Sequence, residues 1–125
     1  MPVRRHRFDQ IPTDEPRLLE GARLWNAGAF FEAHEVWESL WHEVAGRERD
    51  LLQGLIQLAA AYHHLSRGNE AGARYLYRRG RPRVAAWTPR HAGIAINEFL
   101  AAVDADFVTG RRGRRRERRP KLLIG

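Results

Sequence analysis

The chain has 125 residues and no cysteine, which fits one domain and excludes disulfides, a thiolate nucleophile and cysteine-held zinc. Its formal net charge is +7. The first residues are charged and are not followed by an apolar run, so a signal peptide is not expected. Nowhere do about eighteen uninterrupted apolar residues occur, and we therefore expect a cytoplasmic protein that makes no membrane contact.

Helical periodicity dominates the chain and strand signals are scarce, so the sequence predicts an all-α bundle of about five helices in residues 1–110. Thr13 or Asp14 is expected to cap the first helix, glycines to end the first three, and Pro82 to break or end the fourth. The expected helices span approximately residues 15–27, 30–45, 47–67, 69–80 and 94–108.

The third expected helix is apolar on nearly all sides, which is typical of a helix at the centre of a bundle. Tryptophans and tyrosines at helical spacing are assigned to the core rather than to a ligand cage. Their apolar faces are also consistent with a homodimer, because core and interface residues look alike in one sequence. These residues are Trp25, Trp37, Trp41, Trp87, Tyr62, Tyr75 and Tyr77.

All the excess positive charge lies in residues 111–121, RRGRRRERRPK, since the rest of the chain sums to zero. This block predicts a disordered basic C-terminal tail, residues 111–125. It would attract nucleic-acid phosphates without reading bases, because no aromatic residues are interleaved for stacking. The alternatives are a solvated end, or an arm that docks on an acidic partner with residues 121–125 as an apolar anchor. The cations are Arg111, Arg112, Arg114, Arg115, Arg116, Arg118, Arg119 and Lys121.

Several motifs lie within residues 18–88: GAFFEAHEVWESLW at 28–41, QGLIQ at 53–57 and GNEAGA at 68–73. Together they resemble the family known as domain of unknown function (DUF) 309, a small bacterial all-helical domain. The resemblance implies an α-helical fold and a common set of residues around the second and third helices. It implies no activity, substrate or cofactor.

The second and third helices carry the candidate site. His34 and Glu38, four residues apart, share a helix face with the apolar stripe that contains Trp41. Gln53 and Gln57 lie in one row of the third helix, and polar groups would meet inside the bundle if that row faces His34. The candidate ligand pocket consists of His34, Glu35, Glu38, Trp41, Gln53 and Gln57.

Binding of a divalent metal is one interpretation of this pocket, because His34 and Glu38 can share an ion. A third ligand would come from Glu35, His63 or His64. HEVWE lacks the second histidine of the zinc peptidase motif, and the Glu-x-x-His pattern of di-iron bundles does not occur.

General acid-base chemistry is a second interpretation, with His34 as the base, Glu38 or Glu35 orienting it, and Gln57 binding a polar substrate group. No serine is placed as a nucleophile. The third interpretation is structural: His34 hydrogen-bonds Glu38 or a glutamine, and this network fixes how the two helices pack.

An interaction module is the alternative to a ligand site. Two segments forty residues apart repeat a pattern, with Ala33 and Ala73 at one position and Trp37 and Tyr77 at another. The repeat is similar to the helix hairpins of tetratricopeptide proteins, which bind partners without chemistry. Two copies do not make a solenoid, so the hairpins are placed in one bundle.

Overall fold

The computed structural model describes residues 8–12, 14–108 and 122. In these residues the chain forms five α-helices and one short hairpin, which confirms the all-α bundle. Among the same residues no helix is both long and apolar enough to cross a membrane. The elements are α1 (Pro16–Asn26), α2 (Phe30–Trp41), α3 (Glu48–Ser66), α4 (Glu70–Ala85), β1 (Arg90–His91), β2 (Ile94–Ala95) and α5 (Ile96–Phe107).

Helix α3 is the centre of the bundle, as its apolar surface predicts. Ten of its 19 residues are buried, and it packs against α2 on one side and α4 on the other. Helix α1 covers α2, and α5 packs on α4. The core is aromatic around Trp25, whose ring centroid lies 5.0 Å from that of Phe30 and 5.2 Å from that of Tyr62.

The ends of α1 and α2 differ from the sequence prediction. Glu15, rather than Thr13 or Asp14, caps α1, because its carboxylate accepts a hydrogen bond from the Arg17 N–H. Helix α2 ends at Trp41 instead of near Ala45. The residues beyond it pair with Phe8 in an isolated bridge: the Phe8 N–H donates to the Glu43 carbonyl at 2.8 Å, and the Phe8 carbonyl accepts from the Ala45 N–H at 2.7 Å.

Helix α4 continues through Pro82, which was expected to break or end it. Proline removes one hydrogen bond near the end of the helix, but the extra turn buries Val84 completely against Gly54 of α3. The prediction of a core position for Tyr75 was also wrong, since this residue of α4 is 59% exposed. The last helix begins at Ile96 rather than near Ile94, because residues 90–95 form the β1–β2 hairpin.

Leu122 is the one described residue within 109–125, and it lies in the core. Its side chain is 1% exposed. The Asn26 side chain at the end of α1 holds its backbone from both sides. Asn26 Nδ2 donates to the Leu122 carbonyl at 3.0 Å, and the Leu122 N–H donates to Asn26 Oδ1 at 2.7 Å. The predicted disorder of residues 111–125 otherwise falls outside the described residues.

Candidate functional site

Two contacts set the register between the antiparallel helices α2 and α3. Near the end of α2, the Arg49 guanidinium carbon lies 3.6 Å from the centroid of the Trp41 ring. Near its start, the ring centroids of Phe31 and His63 lie 5.1 Å apart. The segments between these two contacts run side by side, and they contain the other candidate site residues. We call this region, which carries His34, Trp41, Arg49, Gln53 and Gln57, the α2–α3 groove.

His34 and Gln57 lie at the same level of the α2–α3 groove. At about 1.5 Å rise per residue, interpolation between the two contacts places His34 opposite residues 56–60 of α3. Gln57 is 9% exposed, and its Cβ lies 2.9 Å from the position that a Cβ on Gly80 of α4 would occupy. Gln57 therefore lies on a part of α3 that packs against both α4 and α2.

Both residues carry a buried polar atom without a partner. His34 Nδ1 and Gln57 Oε1 are inaccessible to solvent, and neither makes a hydrogen bond within the described part of the chain. Buried polar atoms are hydrogen-bonded in the great majority of native structures. The network proposed by the structural interpretation, from His34 to Glu38 or to a glutamine, is absent among the residues that the structure describes.

The two carboxylates of the predicted pocket point to solvent instead. Glu35 and Glu38 are exposed, so they border the α2–α3 groove rather than enter it. In residues 8–12, 14–108 and 122, no three His, Asp or Glu side chains converge as metal ligands. His64, a suggested third ligand, has its Nδ1 3.0 Å from Asn69 Nδ2.

A depression of about 320 Å³ lies at the Trp41 end of the α2–α3 groove. Trp41 is half-buried, so one face of its indole remains available to Arg49. Gln53, one turn before Gln57, forms part of the wall. The lining residues are Trp41, Gly46, Arg49, Asp50, Gln53 and Arg83.

Another set of polar contacts lies between α4 and α5, and the sequence interpretation missed it. Arg81 binds Asp104 through two bonds of 2.8 Å, and the Tyr77 hydroxyl donates to the same carboxylate at 2.6 Å. Tyr62 donates to Asp106 at 2.6 Å in the core. Asp106 follows the buried Val103 by three residues, which places it on the apolar stripe of α5. This spacing could have identified Asp106 from the sequence as a buried residue.

The fold and the groove together define an all-helical bundle domain with polar side chains beside its central helix. Residues 18–76 match the family model described as Domain of unknown function (DUF309). This match confirms the resemblance carried by the motifs, and all six residues of the predicted pocket lie within residues 18–76.

One curated relative extends the similarity beyond this domain. An uncharacterized protein from Aquifex aeolicus (strain VF5) is 29% identical over 95 residues, or 75% of this chain. The chain spans only 28% of the length of that relative.

Proposed function

We propose that this protein binds a small polar ligand in the α2–α3 groove, through hydrogen bonds to His34 and Gln57. The observation that supports the proposal is the pair of buried polar atoms, His34 Nδ1 and Gln57 Oε1, that have no partner among the described residues. The amide oxygen of Gln57 can only accept a hydrogen bond, whereas His34 Nδ1 donates or accepts according to its tautomer. The matching ligand therefore presents at least one N–H or O–H group.

The energetics favour a binding role for these atoms over a packing role. A buried polar atom left without a partner costs about 1–3 kcal/mol, and an apolar side chain of similar shape would remove that cost. Residues that lower the stability of the free protein in this way are typical of functional sites, where activity and stability compete. Trp41 and the apolar residues of α3 supply the hydrophobic surface that small-ligand sites commonly have.

Gln57→Leu tests the proposal through the sign of its stability change. Because leucine fills a similar volume and removes the unpaired oxygen, we expect the free energy of unfolding to rise by about 1 kcal/mol. The variant should also lose the stabilisation that a bound ligand gives the wild type. Urea unfolding measures the first effect, and a thermal-shift screen with a library of small polar compounds measures the second.

Gln53→Leu is the matched control. Gln53 lies one turn away on the same helix and is half-buried, but it carries no buried polar atom without a partner. The free energy of unfolding of Gln53→Leu should therefore stay within about 0.5 kcal/mol of the wild-type value. A packing role would give the opposite result for Gln57→Leu, a loss of about 1–3 kcal/mol. Compounds that stabilise the wild type and Gln57→Leu equally would also contradict the proposal.

Metal binding and acid-base catalysis use the same residues and remain separate hypotheses. A metal ion at His34 and Glu38 would take its remaining ligands from water or from a substrate. Elemental analysis of wild-type, His34→Ala and Glu38→Ala protein distinguishes metal binding from catalysis without a metal. A metal that is present in the wild type and lost in both variants would show that His34 and Glu38 bind it. His34 as a general base would further require a substrate proton within hydrogen-bonding distance.

Nucleic-acid contact through residues 111–121 is a second candidate function. It is favoured by the placement of the entire net charge of +7 in those residues, which predicts salt-dependent and sequence-independent affinity. The residues themselves lie outside the described part of the chain. Homodimer formation and a cytoplasmic location likewise stay predictions.

A further inference from the structure

We infer that the ligand of the α2–α3 groove carries a carboxylate or phosphate group, and that Arg49 binds this group at the open end of the groove. The inference rests on the proposed function and specifies the chemical class of its ligand. It is argued from the geometry of Arg49, from the charges around it and from its distance to Gln57.

Arg49 is held in a fixed orientation by Trp41. Its guanidinium stacks on the indole ring at 3.6 Å, and its Nε donates to the Trp41 carbonyl at 3.2 Å. These two contacts use one face and one edge of the planar group. The two Nη atoms make no hydrogen bond or ion pair to any described residue, and together they form the fork that binds an oxyanion through two parallel bonds.

The charge of Arg49 is not balanced by a neighbouring carboxylate. Two other half-buried arginines are paired with carboxylates: Arg17 with Glu43 at 2.9 Å, and Arg81 with Asp104 at 2.8 Å. In the same depression Arg83 pairs with Asp50, which leaves Arg49 as the uncompensated charge of the lining. A partly desolvated cation without a counterion favours an anionic ligand.

The position of Arg49 also sets the size of the ligand. Arg49 and Gln57 are separated by eight residues of α3, which is about 12 Å along the helix axis. Gln53 lies between these ends on the same helix, so the α2–α3 groove offers a second amide to the middle of the ligand, while Trp41 supplies a hydrophobic surface at the Arg49 end. The molecule that fits has an oxyanion at one end and a hydrogen-bond donor roughly 10 Å away.

The experiment follows the indole N–H signal of Trp41 by NMR while inorganic phosphate or acetate is added to the full-length protein at constant ionic strength. Trp41→Phe assigns that signal among the four tryptophans of the chain. We expect saturable shifts of this signal in the wild type. Arg49→Gln should weaken binding about tenfold or more, and Arg49→Lys should retain part of it, because lysine keeps the charge but loses the planar fork.

Arg47→Gln is the matched control for the loss of one positive charge. Arg47 is exposed, lies over Trp87 at 5.5 Å and does not line the depression, so its variant should bind the anions as the wild type does. A response to phosphate alone would assign a phosphate group to the ligand, and a response to acetate alone would assign a carboxylate. Equal behaviour of the two glutamine variants, or an unsaturable response, would overturn the inference.

Failure of this inference is distinguishable from failure of the proposed function. The stability change in Gln57→Leu depends on a buried atom about 12 Å from Arg49. A stabilised Gln57→Leu variant without any Trp41 response to anions would reject the oxyanion while keeping the ligand site. Anion binding together with a destabilised Gln57→Leu variant would reject the ligand contacts at His34 and Gln57.

Discussion

Tyr77, Arg81 and Asp104 form a polar cluster in which one carboxylate accepts three hydrogen bonds. The two-bond contact with Arg81 lowers the pKa of Asp104, and the carboxylate in turn raises the pKa of Arg81. Burial raises the pKa of Tyr77 to about 12, and its hydrogen bond to Asp104 acts in the same direction. The cluster joins α4 to α5, whose mutual contact is otherwise smaller than that of α3 with α4.

The pKa of Tyr77 predicts how stability changes at alkaline pH. The phenol is neutral when protonated, and the fold raises its pKa from 10.0 to about 12, so folding favours the protonated form. This contribution is complete below pH 10 and is lost as the pH rises to 12. Tyr77→Phe lacks it, so the stability difference between wild type and variant should shrink over that interval.

Urea unfolding at pH 9, 10, 11 and 12 measures this difference. At pH 9 we expect the wild type to be more stable by about 1 kcal/mol, the typical value of one hydrogen bond. Tyr75→Phe is the control, because Tyr75 is 59% exposed and makes no hydrogen bond to another described residue. A Tyr77→Phe difference that stayed constant from pH 9 to pH 12 would contradict the assignment.

Helical spacing located the candidate residues of α2 and α3 but not their hydrogen bonds. The four-residue period brings His34 to the edge of the apolar stripe, and the structure leaves its Nδ1 buried. Whether Nδ1 meets a partner depends on distances between helices that no local pattern determines. Arg49 was missed for the same reason: its contact with Trp41 arises only when the turn between α2 and α3 folds back.

At the scale of the helices, α3 and α4 pack closely at two glycines. Gly54 and Gly80 face each other, and a Cβ on Gly80 would lie 2.9 Å from the Gly54 carbonyl oxygen and 2.9 Å from Gln57 Cβ. Such short distances are not tolerated by real Cβ atoms, so both positions exclude side chains. The contact also supports the candidate site, because it positions the helical turn that carries Gln57.

Gly80→Ala tests this contact. Alanine favours a helix over glycine by about 1 kcal/mol, but the added methyl would meet backbone and push α3 and α4 apart. We expect overpacking to dominate, with a net loss of about 1–2 kcal/mol in the free energy of unfolding. Chemical denaturation measures it, and a gain in stability would show that the helices are less tightly packed than described.

Gly72→Ala is the control in the same helix. The three atoms nearest to a Cβ on Gly72 all belong to the Asn69 side chain, which can move. The helix preference of alanine and the weakened cap at Asn69 should then offset each other to within about 1 kcal/mol. Equal losses in the two variants would point to a general intolerance of α4 to substitution rather than to the Gly54–Gly80 contact.

The helix order and the central position of α3 were predictable because they follow from apolar periodicity. The exact ends were not, because contacts distant in sequence decide them. Pro82 does not end α4, since Val84 gains a buried position against Gly54. Residues 43–45 leave the helical conformation because Phe8 forms hydrogen bonds with the backbone of Glu43 and Ala45.

For the molecule as a whole, Leu122 links the basic segment to the bundle. Residues 109–121 connect Val108, at the end of α5, to a leucine buried against α1. The sequence suggested KLLIG as an anchor for a partner, but Leu122 occupies the core of its own chain. Composition predicted the charge of this segment, whereas the contact of Leu122 with Asn26, 96 residues away in the sequence, has no local signal.

Truncation after Gly110 should therefore reduce stability as well as remove charge. Loss of a buried leucine costs about 2–5 kcal/mol in a core that cannot relax. The loss in the free energy of unfolding cannot exceed the free energy with which the segment packs on the bundle. We therefore expect a loss of about 2–3 kcal/mol. Leu122→Asp in the full-length chain should cause a similar loss, because a buried aspartate would undock the segment while its arginines are retained.

Comparison of these two variants separates the anchor from the cations. If residues 111–121 bind nucleic acid, Leu122→Asp should keep the steep salt dependence of the wild type, whereas the truncated chain should lose it. Fluorescence anisotropy with a single-stranded oligonucleotide at several salt concentrations measures both. Binding that survives truncation would rule out the segment as its source, and stability unchanged in both variants would contradict the docked position of Leu122.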